Sequence, residues 1–410
     1  MTPFTCRFTA GFVILALTAC ATPTPQELAS RADRLAQRSL IVDTHIDVPY
    51  RIQRRPVDVG QATPDGEFDY PRAVAGGLNA PFMSIYTPAR EEDNGNAYAF
   101  AQSSLDVVTR LAEQHPDKFA IATCARDLIK QQRSGLISLP LGMENGGPID
   151  NKISNLQHFF DRGIRYITLA HSKSNHISDS SYDDHVRWQG LSPFGQTLIT
   201  EMNRLGIMID VSHISDDAFW QVLELSAVPV IASHSSLRHF TPDFHRNMSD
   251  AMVQALGEAG GVVQINFGSS FIHQAAREWS NQRTANVQAY AEEHGYEVGD
   301  EEITRYLDAY REAHPYPYAD LDHVLDHIDR AVSLAGIDGV GIGSDYDGVG
   351  NTLPNGLKDV STYPNLIAGL MSRGYSSRQI RKILGGNTLR VWRRVEAYAR
   401  RQGTPTQCAG

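Results

Sequence analysis

The sequence predicts an α/β fold: a (β/α)8 barrel of the TIM type with a helical insertion after its seventh strand. Three observations predict it. After residue 39 the chain repeats one rhythm: a short apolar, β-rich run, a polar or glycine-bearing turn, then a stretch of helical periodicity. The runs are continuously apolar, as expected of parallel strands covered on both faces. They number eight, the count that closes such a barrel.

Taken in order, residues 1–19 read as a signal peptide. Arg7 is their only charge, and the apolar stretch from Gly11 to Leu17 is too short to span ~30 Å of hydrocarbon. Leu17-Thr18-Ala19-Cys20 resembles a bacterial lipobox, in which cleavage leaves Cys20 as a lipidated amino terminus. Residues 20–38, opening on a Thr/Pro-rich stretch, are expected to form a tether, so that the chain is exported, lipid-anchored and facing the periplasm. The barrel domain is expected over 39–400. Its runs are LIVDTH (40–45), APFMSIY (80–86), ISLPLGME (137–144), IRYITLAH (164–171), IMIDVSH (207–213), VPVIASH (228–234), GVVQINF (261–267) and GVGIGSD (339–345). FAIAT (119–123) is a ninth candidate. Amphipathic stretches such as 193–206 and 249–260 supply the helices. Residues 272–320 break the rhythm. They are polar, rich in Glu, Arg, Tyr and Gln, and too long for a βα loop, so they read as a helical insertion on the rim where active sites form. Residues 401–410 are a tail.

Composition narrows the function. Of 410 residues, 41% are hydrophobic and 20% charged, with a net charge of −10, which excludes disorder and gives no basic footprint for nucleic acid. The four cysteines, Cys6, Cys20, Cys124 and Cys408, are too few for a disulfide framework and lack the paired spacing of a thiolate zinc cluster. Export would place Cys124 and Cys408 in an oxidising compartment, but the sequence leaves their pairing open.

Six of the eight runs end in an ionisable side chain. The first gives His45 and Asp47, which as i and i+2 of an extended chain point to the same side. The others end in Glu144, His171, His213, His234 and Asp345. Four histidines and three carboxylates at one mouth of a barrel point to a metal centre. Imidazole and carboxylate without thiolate suit Zn2+, with Mn2+, Co2+ or Fe2+ as alternatives. Five ligands exceed the needs of one catalytic zinc, so two ions sharing a bridging carboxylate are the economical solution. Such a pair shares one water, presents hydroxide at neutral pH and polarises a carbonyl: machinery for hydrolysis.

The motifs VDTHIDVP, GMENG, YITLAHSKSN, LGIMIDVSHIS, PVIASHSS, Arg246-Asn247, VGIGSDYDGV and GGNTLRV stand in an order and at spacings that closely resemble the membrane dipeptidase family of binuclear zinc peptidases, over roughly residues 38–400. The resemblance implies two Zn2+ per chain and dipeptide substrates. It gives His45 and Asp47 to one ion, His213 and His234 to the other, and Glu144 as the bridge. It implies that His171 steadies the tetrahedral intermediate, that Asp345 is the acid/base carboxylate in preference to the neighbouring Asp347, and that Arg246 holds the free carboxylate of the dipeptide. One departure stands out: eukaryotic relatives carry Tyr just after the seventh-strand Asn-Phe, where this chain has Gly268. His323 and His327, i and i+4 on a helical run, read as ordinary helix-face histidines. Two other readings compete: another metal-dependent amidohydrolase such as a lactonase or amidase, and a non-catalytic envelope lipoprotein. The complete ligand set and the absence of a bridging lysine argue against them. Side-chain and stereochemical preference, the native metal and a homodimeric state are left open.

Overall fold

The computed structural model describes residues 24–297 and 299–408. The stretch 1–19 read as a signal peptide, and Cys20, lie outside the described residues. Among the described residues there are nine parallel strands: β1 (Ile41–Ile46), β2 (Leu78–Tyr86), β3 (Phe119–Ala122), β4 (Ile137–Glu144), β5 (Ile164–Thr168), β6 (Met208–Asp210), β7 (Ile231–Ala232), β8 (Val262–Ile265) and β9 (Val340–Ile342). Eight of them form a ring in the order β2-β1-β9-β8-β7-β6-β5-β4, closed by β2 against β4. This is the expected barrel. The ninth run is β3, a strand that is no stave of the ring. It pairs with the first half of β4, Phe119 to Ala122 against Ile137 to Pro140, while β2 takes the second half, Met83 to Tyr86 against Leu141 to Glu144.

The helices start on repeated local signals. Ser192, Ser215 and Ser249 each cap a helix by accepting a backbone N–H from three residues on. Each such cap contributes about 1 kcal/mol. The helix Pro193–Leu205 also has Pro at its first position and ends at Gly206, whose φ of 87° is left-handed. Every residue of β1 and β4 is buried, as a strand covered on both faces must be.

Two boundaries differ from expectation. Within the stretch expected to be a tether, Pro25–Arg38 is a helix. Thr24 and Glu27 form a capping box, and Ala32, Leu35 and Ala36, spaced i, i+3, i+4, bury one face against the helix Tyr363–Ser372. The tail is fastened: Cys408 forms a disulfide with Cys124, at the start of the helix Ala125–Arg133, 284 residues earlier in the chain. The insertion is helical as expected, built of Gln274–His294 and Glu301–Ala313. The two helices pack together, with Trp279 edge-on to Tyr310. No helix among the described residues is long and apolar enough to cross a membrane.

Candidate active site

The carboxyl ends of the barrel strands bring the sequence-predicted side chains to one point. Glu144, the last residue of β4, stands at the centre. Its Oε2 is 3.3 Å from His45 Nε2, and its Oε1 is 3.2 Å from His213 Nε2 and 3.4 Å from His234 Nε2. Asp47 Oδ2 is 3.4 Å from the same His45 nitrogen. The Nε2 atoms of His213 and His234 are 2.7 Å apart. One carboxylate thus faces two histidine groups, one with each oxygen, which is the arrangement a bridging ligand needs. His171 Nε2 also lies 3.4 Å from Glu144 Oε1, but its side chain is 19% exposed where those of His213 and His234 are 6% and 1%, so it faces the opening.

The donor set fits metal ions. His45 Nε2 and Asp47 Oδ1 are buried without a hydrogen-bond partner, a costly state unless a cation sits between them. Burial pushes the His213 and His234 imidazoles well below their usual range, and the positive charge of Arg246 adds to it, so both are neutral and free to ligate. Burial alone would raise Glu144. The neighbouring histidines, His45 and His171 foremost, hold it well below the usual carboxylate range instead.

Partners behind the candidate ligands fix the rings. His45 Nδ1 is 2.9 Å from the hydroxyl of Tyr166, a fully buried residue of β5. The phenol is held protonated, so with Nε2 reserved for a metal the imidazole N–H donates to it. Gly142 of the GMENG motif makes the room, because a Cβ there would fall within the Tyr166 ring. His234 Nδ1 is held by Ser233, which in turn is bonded to the buried Asp210.

Asp345 follows β9 with φ of 65°, and His213 has φ of 70°: both are non-glycine residues in the left-handed region, where strain is retained for function. Burial, with the charges of Asp47 and Glu144, raises the Asp345 carboxyl to about 7. Asn266 Nδ2 donates to its Oδ2 at 2.7 Å. A side chain at Gly348 would collide with Asp345 and Asp47, so glycine keeps this corner clear. Asp347 is turned away from the centre. Its Oδ1 accepts the Glu67 N–H at 2.7 Å, and its Oδ2 is 3.0 Å from Arg51 Nε.

Arg246 lies just behind the histidines, 3% exposed. Its Nη1 donates to Ser235 Oγ at 2.8 Å and its Nη2 to the His234 carbonyl at 2.6 Å, while Nε is buried without a partner. Asn247 is structural, donating to Thr241 and to the Phe271 carbonyl. His327 is structural as expected. Its Nδ1 accepts the Leu237 N–H at 3.1 Å, its Nε2 lies 3.2 Å from the Ile272 carbonyl, and burial lowers it to about 3. His323 lies near the start of its own helix, where the Asp320 N–H donates to its Nδ1. The absence of a side chain at Gly268 has a local reason: a Cβ there would be 2.8 Å from Phe271 and 2.9 Å from Val349.

The centre opens into a cleft of about 1170 Å3 whose outer wall is the insertion. Sequence reasoning missed several residues here. Tyr86 packs beside His171, with ring centroids 4.8 Å apart, and Tyr182 beside His213 at 5.8 Å. Tyr182, Arg277 and Trp279 line the cleft but sit in no motif. Ser233 and Tyr166 were findable, one adjoining the candidate ligand His234 and the other inside YITLAH.

Comparison with known proteins agrees with the geometry. The family model for the membrane dipeptidases (peptidase family M19) matches residues 29–406. Dipeptidase tcpJ of Claviceps purpurea is 32% identical over 344 residues, covering 82% of this chain and 71% of that protein. Dipeptidase 3 of Mus musculus is 31% identical over 366 residues, covering 87% of this chain, which spans 64% of that relative's length. The crystal structure of the probable dipeptidase PvdM from Pseudomonas aeruginosa superposes with a TM-score of 0.78 at 27% identity, covering 92% of this chain and 100% of that one. A metallo peptidase from Rhodobacter sphaeroides, liganded with a phosphinate mimic of the dipeptide L-Ala-D-Ala, shares the fold with a TM-score of 0.71 at 24% identity, covering 87% of this chain and 99% of that one. With the ligand-type residues gathered at the carboxyl ends of a closed barrel and a family match across nearly the whole chain, the chain belongs to the membrane dipeptidase family, the metallo-dipeptidases of peptidase family M19.

Proposed function

We propose that the protein hydrolyses the peptide bond of dipeptides with two Zn2+ ions per chain, one held by His45 and Asp47, the other by His213 and His234, with Glu144 between them. The observation that carries this reading is the division of Glu144, whose two oxygens face the two ligand groups at 3.2–3.4 Å. When bound, the ions polarise the scissile carbonyl and lower the pKa of the attacking water. The residues of the chain do the rest. Asp345, with a carboxyl poised near neutrality, takes the proton of that water and returns it to the leaving amine, while Asn266 fixes its Oδ2. His171, at the edge of the opening, donates to the oxygen that becomes negative. Arg246 offers its unpartnered Nε and the remaining hydrogens of its Nη groups to the free carboxylate of the substrate.

The lipid anchor at Cys20 and a periplasmic location belong to the same proposal. The Cys124–Cys408 disulfide supports an oxidising compartment. Cys20→Ser is expected to release the protein from the membrane fraction, and unchanged membrane association would remove the anchor. The test of the activity is metal analysis of the purified protein beside hydrolysis of free dipeptides, dipeptide amides and tripeptides. Two zinc ions per chain with activity confined to free dipeptides is the expected result. Activity without metal, or equal activity on amides, overturns it.

A further inference from the structure

The chain carries a net charge of −10, yet the wall of its cleft has the opposite sign. The cleft carboxylates Asp47, Glu144 and Asp345 sit at the metal end, and Asp347 is taken up by Arg51. Away from that end, four arginines, at 54, 55, 277 and 283, line the cleft without a carboxylate partner among the described residues. Arg54 and Arg283 lie over the rings of Tyr50 and Trp279 at 5.2 and 5.7 Å, and Arg277 differs in that its aromatic partner adjoins the rings beside the histidine cluster. It is half-buried, and its guanidinium lies 3.7 Å from the centre of the Phe244 ring. The Phe244 ring is 5.6 Å from that of Phe271, over which Arg246 lies at 5.7 Å. It is also 6.0 Å from the ring of Tyr182, the neighbour of His213. Two guanidinium groups therefore flank one aromatic pair beside the ligand histidines. Arg246 is the inner one and Arg277 the outer.

The helix Gln274–His294 turns the face bearing Arg277 into the cleft. Ser280, Asn281, Thr284 and Gln288 follow it at i+3, i+4, i+7 and i+11, all polar and none acidic. A half-buried cation with no anion beside it is poorly compensated until a ligand supplies one, and burial already pulls the Arg277 guanidinium below its usual range.

We propose that Arg277 is a specificity-determining residue that binds a second anionic group, carried on the side chain of the carboxyl-terminal residue of the substrate, so that dipeptides ending in an acidic residue are preferred. This rests on the proposed dipeptidase activity and adds its substrate class. Arg246 serves the α-carboxylate and Arg277 the side-chain carboxylate.

The experiment compares Ala-Asp with Ala-Asn and Ala-Glu with Ala-Gln, each with an L and a D carboxyl-terminal residue, on the metal-loaded wild type, Arg277→Gln and Arg277→Lys. The acidic peptide is expected to exceed its amide counterpart in kcat/KM by about 10- to 100-fold, the worth of a charge-assisted pair, chiefly through KM. Arg277→Gln should abolish the preference, lowering the acidic peptides far more than their neutral counterparts, and Arg277→Lys should restore part of it. Calorimetric titration with free aspartate and asparagine should show the same discrimination in binding alone. Hydrolysis of neutral dipeptides with no acidic preference, or an equal loss on both members of each pair in Arg277→Gln, overturns this inference and leaves the dipeptidase reading intact. Failure to hydrolyse any dipeptide overturns the dipeptidase reading itself, and discrimination in the titration then decides whether Arg277 still reads an anion.

Discussion

Ser233 Oγ lies 2.8 Å from His234 Nδ1 and on its other side donates to Asp210 Oδ2 at 2.6 Å. The hydroxyl has one proton, and the carboxylate takes it. The serine can therefore only accept from the imidazole, which puts the ring proton on Nδ1 and leaves the Nε2 lone pair facing Glu144. Replacing Ser233 with Ala removes this control. Metal affinity is expected to fall by about 10- to 100-fold, read by competition with a chelator, while circular dichroism stays native. Asp210 keeps its bonds from Thr168 and from the backbone N–H groups of Ser212 and Ser233, so the barrel retains its closure there.

Glu144→Gln tests the bridge. An amide offers one acceptor oxygen where the carboxylate offers two charged ones, so both ions should bind more weakly, not one. Dialysis against graded metal buffers followed by metal analysis measures this. Loss of a single ion with the other bound as in the wild type would give Glu144 to one site alone.

Asp345→Asn separates acid/base work from ligation. Metals should stay bound, and kcat should fall by roughly 10²–10⁴-fold, the usual worth of a positioned proton carrier. Departure of an ion with the substitution would make Asp345 a ligand, a role its closeness to His45 and Asp47 also permits.

A pH effect is expected away from the centre. The backbone N–H groups of Glu67 and Asp347 each donate to the other residue's carboxylate at 2.7 Å. Burial first, then the neighbouring Asp347 carboxylate, raises the Glu67 carboxyl to about 8. The folded state thus holds this proton more tightly than the unfolded chain. The resulting stability is fully present below about pH 4.5 and is lost as pH rises through about 8. Glu67→Gln keeps the acceptor and removes the titration. Scanning calorimetry from acid to mildly alkaline pH should show a smaller decline in Tm for the variant than for the wild type. Parallel declines would show that the pair does not govern this range.

Much of this was legible in the sequence because the barrel places its chemistry where its strands stop. An apolar run ending in His or Asp announces both the strand and the functional residue, as in IRYITLAH and GVGIGSD. Residues that reach the cleft from elsewhere carry no such mark. Arg277 lies on a polar helix with little buried face, and Tyr182 on a long connection after β5, so neither periodicity nor spacing singles them out. The helix Pro25–Arg38 was readable in part: Thr24-Pro25-Gln26-Glu27 is a capping box with proline at the first position, but its Thr/Pro lead reads equally as linker. The role of β3 was not readable, because whether a strand joins a ring or flanks it depends on how β4 divides its length between two partners.

The bond between Cys124 and Cys408 has a consequence for how the protein meets proteases. It encloses β4 through β9, every candidate ligand from Glu144 onward and the whole insertion in one covalent loop of the chain. A cut on the exposed tip of the insertion, near Gly295, would sever the backbone without releasing either piece. On a denaturing gel the nicked protein would migrate as one species until a reductant is added and would then separate into two fragments.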